Sequence, residues 1–209
     1  MMEKNNAHIR DIRQNMSKHV VKTLFLLLLF MVGCLTIKPS LKTLSEENPA
    51  YVVAHRDSLL PVIAKHPEKK AHLIQAYLNL ADQALAREAF STAEKYLSSA
   101  LIIDEGNPDV KYYLAMANGL QLYKKGSQSQ LWDAIEQFSR ASVIKPEDGL
   151  AIYWMAKGYY KKDDTDYENI IDLYTKSLER GLPATEKADA EERVDKVKKE
   201  KELMESFWN

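Results

Sequence analysis

The sequence predicts an all-α fold, and three observations support this prediction. In the segment 93–117, small and apolar residues recur at helical spacing, so that Ala93, Leu97 and Ala100 share one helical face. The stretch DEGNP at 104–108 interrupts this pattern, and its proline suits the first turn of a second helix. Seven Gly and seven Pro among 209 residues are few, which favours helices. The chain is therefore expected to consist of helices joined by short turns.

The same arrangement of small and large residues recurs along the chain. In the first helix of each unit a small residue falls at Ala81, Ala115 and Ala156, at intervals of 34 and 41 residues. In the second helix the pattern falls at Ala93/Leu97/Ala100, Ala134/Phe138/Ala141 and Ile170/Tyr174/Ser177. This recurrence resembles the tetratricopeptide repeat, a helix–turn–helix unit of about 34 residues. The longer interval is attributed to an insertion in the turn-rich stretch 123–130.

The resemblance implies an α-solenoid of three helical hairpins within residues 71–182, whose first helices line a concave groove. The repeats are expected at 71–103, 108–145 and 149–180. The segment 183–209 is expected to form a charged helix that caps the array, because acidic residues precede basic ones along it. A coiled-coil helix for a partner is the alternative for this segment.

The N-terminal segment predicts attachment to a membrane. Residues 1–22 are polar and basic, and residues 23–37 form an uncharged, mostly apolar run. Because a membrane span usually needs about 20 apolar residues, this run is short for a span. A basic segment followed by such a run is typical of a secretory signal. A true start at Met16 would give a signal of ordinary size.

The end of the apolar run resembles the lipobox of bacterial lipoproteins. Gly33 precedes Cys34, the residue that the resemblance implies is lipidated, although Met31 stands where Leu is usual. Because Leu35 follows the cysteine, the resemblance implies the outer membrane. An uncleaved signal anchor in the inner membrane is the alternative. Both possibilities place the protein in a bacterial cell envelope.

Residues 38–70 are expected to comprise a tether and cap helices. The polar stretch 38–48 predicts the tether. Pro61 disfavours helical geometry in the residue before it, so two short helices are expected, at 50–58 and 60–65. Whether these helices are a degenerate further repeat stays open.

No catalytic, metal or cofactor site is expected. The five His residues lack the spacing of metal ligands, and the acidic run at 163–168 lacks the glycine and the final glutamate of a calcium loop. The sequence has no glycine-rich phosphate loop and no recognisable nucleophile motif. A net charge of −1 gives no indication of nucleic-acid binding. The protein is therefore expected to bind another protein, and neither an enzymatic activity nor a small-molecule substrate is predicted.

The resemblance implies which side chains face the groove. They lie at repeating positions of the three first helices: Gln75, Leu78, Asp82, Tyr112, Met116, Leu120, Tyr153, Lys157, Tyr160 and Lys161. Tyrosine is enriched at protein interfaces, so truncation of Tyr112 and Tyr153 is expected to abolish partner capture without loss of stability. The alternative is that these tyrosines pack between repeats.

The same positions indicate the kind of partner. Leu78 and Asp82 stand where repeats that read chaperone tails have Lys and Asn, so a carboxylate clamp is disfavoured. The expected ligand is an extended segment or helix with apolar anchors and an acidic group for Lys157 and Lys161. The expected function is that of a membrane-tethered scaffold in the assembly of an envelope complex. The alternative is a permanent structural subunit that uses its outer face or its C-terminal tail.

Overall fold

The structure is a computed structural model that describes residues 39–163 and 165–208. The described residues form ten α-helices and one short 3₁₀ turn, with no strand among them. In chain order the helices are α1 (Leu41–Glu47), α2 (Pro49–Ala54), α3 (Arg56–Lys65), α4 (Lys70–Ala86), α5 (Phe90–Ile103), α6 (Pro108–Lys125), α7 (Gln128–Ile144), α8 (Gly149–Lys162), α9 (Tyr167–Glu179) and α10 (Ala184–Trp208). The 3₁₀ turn, Pro67–Lys69, lies between α3 and α4. The prediction of an all-α fold is confirmed for this part of the chain.

The local sequence determines where several helices begin and end. Asn107 caps α6, because its side chain accepts a hydrogen bond from a backbone N–H of the first turn at 3.1 Å, and Pro108 occupies the first helical position. The helix ends at Gly126, whose φ of 74° is a left-handed conformation that glycine adopts without strain. Asp148 caps α8 in the same way as Asn107, at 2.9 Å. These caps keep the connections between helices short.

Each helix from α4 to α9 packs on the next one in the chain. Consequently α4–α5, α6–α7 and α8–α9 form three helical hairpins, and α10 packs on the last of them. Small residues that are at most 7% exposed lie on these helices: Ala81, Ala93, Ala100, Ala115, Ala134, Ala141 and Ala156. Their short side chains allow neighbouring helices to approach closely.

Large apolar side chains fill the space between the hairpins. Leu73 and Leu97 are buried in a cluster that α2 to α6 share, and Phe138 is buried in a cluster of α6, α7 and α8. Ile170 and Tyr174 are buried in a cluster of α8, α9 and α10. The first two clusters contain side chains from consecutive hairpins, and the third joins the last hairpin to α10, so each hairpin depends on the element next to it for burial of its apolar face.

The region before the first hairpin differs from the expectation of a tether. Residues 41–47 form α1, which packs on α4. Asn79 of α4 donates a hydrogen bond from its side chain to the carbonyl oxygen of Ser45 at 2.9 Å, and Ser45 is itself buried. The next two helices, α2 and α3, are separated only by His55, and Pro61 lies inside α3. The break between them therefore falls at residue 55, and not between residues 58 and 60 as expected.

The interval of 41 residues does not arise from a longer turn. Only residues 126–127 connect α6 to α7, and these helices have 18 and 17 residues against 17 and 14 in α4 and α5. Gly119 lies inside α6, and a Cβ there would be 2.5 Å from the ring of Phe138. The expected insertion in a turn at 123–130 is therefore wrong, because the additional residues lengthen the helices.

The C-terminal helix continues the arrangement of the hairpins. α10 has 25 residues and packs on α9 and also on α8. Its buried residues are Ala190, Val194 and Val197, and Ala190 lies 34 residues after Ala156. By its position α10 thus follows α8 as the next first helix, and no second helix follows it within the described residues.

The described residues from Leu41 onward form one compact unit. The predictions for the basic segment, the apolar run and Cys34 fall on residues 1–38, which lie outside the described residues. In the described part of the chain, no helix combines the length and the apolar character that crossing a membrane requires.

Candidate partner-binding site

The ten predicted groove residues lie in three different environments. Those on α4 line an open pocket, those on α6 are buried or half-buried, and those on α8 contact α10 or the end of α6. Although the ten residues occupy related helix positions, their exposure depends on which helix follows them in the chain.

The open pocket has a volume of about 270 Å³ and lies between α4 and α6. We name it the α4–α6 pocket. It is lined by Gln75, Leu78, Asn79, Asp82, Asp109, Tyr113 and Lys145. Three of these residues, Gln75, Leu78 and Asp82, are among those that the sequence predicts, and the structure brings them together at one site.

A row of carboxamides forms one wall of the α4–α6 pocket. Gln75 donates a hydrogen bond from Nε2 to Oδ1 of Asn79 at 2.9 Å, and Asn79 in turn donates to the Ser45 carbonyl of α1. Because Asn79 is fixed from both sides, it holds the Gln75 side chain along the surface of α4. Helix α1 thus supports the pocket wall, a role that the sequence does not indicate.

Lys145 closes the opposite side of the pocket and is already paired. Its Nζ lies 2.7 Å from Oδ1 of Asp109. The same ammonium group lies 4.6 Å from the ring centroid of Tyr112 and 5.3 Å from that of Tyr113, which are cation–π distances. Lys145 therefore orders this wall and has little capacity left for a ligand.

Asp82 is the uncommitted charge of the pocket. Its side chain is exposed, and it has no hydrogen-bond or ion-pair partner among the described residues. The half-buried side chain of Leu78 lies beside it in the pocket lining. A free carboxylate next to an apolar side chain favours a cationic group with an aliphatic stem, such as a lysine or arginine side chain.

Tyr112, which was expected to contact a partner, is part of the core. It is 2% exposed, and its hydroxyl donates a hydrogen bond to Oδ2 of Asp148 at 2.7 Å. Burial and this hydrogen bond to a carboxylate raise the pKa of the phenol far above its ordinary value. Because Asp148 also caps α8, Tyr112 connects the second hairpin to the start of the third. The expectation of groove contact at Tyr112 is wrong, and packing between hairpins is observed.

The other α6 residues of the predicted site are also covered. Met116 is buried in the cluster of α6, α7 and α8, so it cannot contact a partner. Leu120 is half-buried and packs against the same cluster. The expectation of partner contact is therefore wrong for Met116, and Leu120 offers only part of its side chain.

On α8, a polar cluster joins the third hairpin to α10. We name it the Asp189 cluster, and it consists of Tyr153, Lys157, Asp189 and Arg193. Tyr153 is 3% exposed and donates a hydrogen bond from its hydroxyl to Oδ2 of Asp189 at 2.6 Å. Arg193 Nε donates to the same oxygen at 2.8 Å, and Lys157 Nζ lies 3.5 Å from it. The carboxylate of Asp189 on α10 thus interacts with a hydroxyl, a guanidinium and an ammonium group.

The electrostatics of the Asp189 cluster follow from partial burial. Burial disfavours the charged carboxylate, but the hydrogen bonds from Arg193 and Tyr153 outweigh it and lower the pKa of Asp189 below its ordinary value. Burial is the main reason that the pKa of Lys157 is also lowered, although Asp189 opposes this shift. Lys157 therefore forms an ion pair with Asp189 of its own chain. This residue takes the place of the acidic group that was expected from a partner protein.

Two further predicted residues on α8 also have partners in the chain. The hydroxyl of Tyr160 lies 3.2 Å from Oε1 of Glu200 on α10. Lys161 donates a hydrogen bond from Nζ to the carbonyl oxygen of Tyr123 at 3.0 Å, and the same ammonium lies 4.5 Å from the Tyr123 ring centroid. Lys161 remains exposed, but its ammonium group is directed to the end of α6.

Four lining residues of the α4–α6 pocket were missed by the sequence reasoning, namely Asn79, Asp109, Tyr113 and Lys145. Asn79, Asp109 and Tyr113 occupy positions of α4 and α6 other than those carried over from the repeat family, and Lys145 comes from the end of α7, which is not a first helix. One signal was present, because Tyr112 and Asp148 are separated by 36 residues, as are Tyr153 and Asp189. This shared interval would have indicated that each of the two tyrosines binds the next helix but one, Tyr112 the start of α8 and Tyr153 α10.

No protein-family model matches this chain, and no curated protein matches it either. The function is therefore inferred from the geometry of the described residues and from the repeat-like sequence pattern.

Proposed function

We propose that the helical hairpins form a tetratricopeptide-like α-solenoid that holds a protein partner at the α4–α6 pocket. In this proposal the N-terminal segment tethers the chain to a bacterial envelope membrane, and the protein acts as a scaffold in the assembly of an envelope complex. The observation that supports the site most is the uncommitted Asp82 beside Leu78 in an open, ordered pocket.

The size and lining of the pocket favour a polypeptide ligand. Drug-sized small molecules usually occupy pockets of about 300–1,000 Å³, and the α4–α6 pocket has about 270 Å³ and is open. Such a space accommodates one or two side chains of an extended segment. The carboxamide of Gln75 suits a peptide group, and Asp82 suits a basic side chain. The proposed partner segment is therefore basic at this position.

A charge reversal at Asp82 tests the proposed function. Asp82→Lys should weaken partner capture by about tenfold or more, because one charge-assisted contact of about 1.5–3 kcal/mol is replaced by repulsion. The measurement is quantitative recovery of crosslinked partner from intact cells. The matched control is Glu94→Lys, which makes the same charge change at an exposed position of α5. Equal losses in both variants, or none in either, would contradict the site.

The proposed tether is tested separately at Cys34. Cells that express the full chain are fed a fatty-acid analogue, and the wild-type protein should carry the label whereas Cys34→Ser should not. If wild type carries no label but sediments with membranes, an uncleaved anchor replaces the lipid in the proposal.

A permanent structural subunit is the second candidate, and exposed apolar residues favour it. Ile102 at the end of α5 and Val143 at the end of α7 are 83% and 77% exposed. On α10, Leu203 and Phe207 are also exposed. If these side chains form a permanent interface, the double variant Ile102→Ser and Val143→Ser should release the protein from a stable detergent-extracted complex. Asp82→Lys would leave that complex intact.

A further inference from the structure

A second pocket adjoins the α4–α6 pocket. It has a volume of about 580 Å³ and lies between the turn that joins α7 to α8 and the turn that joins α9 to α10. Residues 145–148 and 180–183 line it, and we name it the proline pocket because Pro146 and Pro183 are both exposed in its lining. Lys145 lines the proline pocket and also the α4–α6 pocket, so the two pockets are neighbours that share one side chain.

The two turns of the proline pocket hold each other in place. Arg180 donates a hydrogen bond from Nη1 to the carbonyl oxygen of Pro146 at 2.6 Å. The backbone N–H of Gly149 donates to the carbonyl oxygen of Gly181 at 3.2 Å. The boundary between the two pockets is also ordered, because Lys145 is held by its ion pair across the α4–α6 pocket. A ligand therefore meets a surface that is already formed, which reduces the entropic cost of binding.

The charges of the two pockets favour a basic ligand. Their linings together contain four acidic side chains and two basic ones, so the net charge is negative. Asp109 pairs with Lys145, and Asp148 accepts two hydrogen bonds. The other two carboxylates, those of Asp82 and Glu147, are exposed and have no hydrogen-bond or ion-pair partner among the described residues. Each pocket thus offers one uncommitted carboxylate to a basic side chain.

The proline pocket also offers an apolar surface. Pro146 and Pro183 are exposed, and Leu182 is half-buried because it packs against the cluster of α8, α9 and α10. Contact with these three side chains removes apolar area of a ligand from water. An aliphatic or aromatic side chain of the ligand therefore suits this pocket.

We propose that the α4–α6 pocket and the proline pocket form one groove that binds a single extended segment of the partner protein. The segment places one basic residue beside Asp82, a second beside Glu147 and an apolar residue against Leu182. This inference rests on the proposed function and extends it. Because an extended residue spans about 3.5 Å, a few residues carry the segment past Lys145. A segment that is anchored in the first pocket reaches the second at a high effective concentration.

Photocrosslinking in intact cells that express the full chain tests the groove. A photoreactive amino acid replaces Gln75 in the α4–α6 pocket, Glu147 in the proline pocket or, as the control, Glu105, which is exposed in the preceding turn between α5 and α6. Mass spectrometry locates the crosslinked residues of the partner. We expect positions 75 and 147 to link to the same protein, at residues within about ten of each other, or about 35 Å of extended chain. Position 105 should not link to this segment.

The possible outcomes separate the groove from the proposed function. Capture from position 75 without capture from position 147, or with crosslinks from the two positions to distant segments, overturns the groove and leaves the proposed function intact. Equal capture from positions 147 and 105 also overturns the groove, as does a crosslink from position 147 to a second copy of this chain. Absence of capture from position 75 overturns the proposed function, and the groove with it.

Charge reversal provides a second measurement. With the photoreactive amino acid at position 147, Asp82→Lys should reduce capture about tenfold, because the segment loses its anchor in the neighbouring pocket. With the photoreactive amino acid at position 75, Glu147→Lys should reduce capture about threefold, as expected for an exposed ionic contact. The control Glu105→Lys should leave capture from position 75 unchanged. Unchanged capture from position 147 in the Asp82→Lys variant would show two independent sites and overturn the single groove.

Discussion

The α4–α6 pocket and the face of α8 present the same repeat positions in opposite states. On α4, the side chain of Asp82 is exposed and has no partner among the described residues. On α8, Tyr153 and Lys157 are engaged by Asp189, and Tyr160 lies within hydrogen-bond distance of Glu200. Both acidic residues come from α10. The C-terminal helix thus occupies on α8 the kind of surface that is open on α4.

The comparison shows that a position within a repeat does not by itself define a contact residue. A side chain on a first helix can be bound by the next first helix, as Tyr112 is bound by the cap residue of α8. Only a first helix whose neighbour leaves it uncovered can offer that side chain to another protein. In the described residues, the α4–α6 pocket combines the predicted positions with such access.

The largest expected effect comes from removal of the two buried tyrosines. Tyr112→Ala and Tyr153→Ala should each destabilise the fold by about 3 kcal/mol or more, because each removes a buried aromatic ring and leaves a cavity. The measurement is the free energy of unfolding in denaturant. Tyr113→Ala is the control, since Tyr113 is only half-buried at the pocket. Unchanged stability of the Tyr112 and Tyr153 variants would restore the expectation that both face a partner.

A smaller effect on stability is expected when the carboxylate of Asp189 on α10 is removed, and a still smaller one when that of Asp82 in the α4–α6 pocket is removed. Asp189→Ala should cost about 2 kcal/mol, because it leaves Arg193 and Lys157 without their counter-charge. The cost stays below that of a fully buried pair because the Asp189 side chain is 33% exposed. Asp82→Ala should change stability by less than about 0.5 kcal/mol. Equal effects of the two substitutions on the unfolding free energy would contradict the distinction between the face of α8, which α10 covers, and the α4–α6 pocket, which is open.

The acid dependence of stability should distinguish the two regions further. The pKa of Asp189 is lower in the folded chain than its ordinary value, so its ionised form stabilises the fold at neutral pH. This contribution is complete above the unfolded value of about 3.9 and decreases as the pH falls through the folded pKa. The difference in unfolding free energy between wild type and Asp189→Asn should therefore shrink below about pH 4. A difference that is constant down to pH 2 would contradict the role of the charge.

The sequence predicted the parts of the fold that depend on local and repeated patterns. The small residues at 81, 115 and 156 and the turn before Pro108 indicated helices, because helical spacing and proline preference are properties of short segments. The polar stretch at 41–47 gave no such indication. It forms α1 because α4 provides a partner for it, and this tertiary contact is not visible in its own residues.

The candidate site was predicted only in part for a related reason. Gln75, Leu78 and Asp82 occupy the positions of α4 that the resemblance implies, whereas Asn79 occupies another position of α4 and is held by α1, and Lys145 reaches the pocket from the end of α7. The coverage of α8 depends on how α10 packs, which a charged sequence with a thin apolar stripe does not specify. The carry-over of contact positions therefore failed where a neighbouring helix intervened.

Photocrosslinking in intact cells tests most directly the claim that the partner binds at the open α4–α6 pocket and not at the face of α8 that α10 covers. A photoreactive amino acid is placed either at Gln75 in the α4–α6 pocket or at Tyr160 on α8, and the products are identified by mass spectrometry. We predict a crosslink to another protein from position 75 and a crosslink within the chain, to α10, from position 160. Partner capture from position 160 without capture from position 75 would contradict the account.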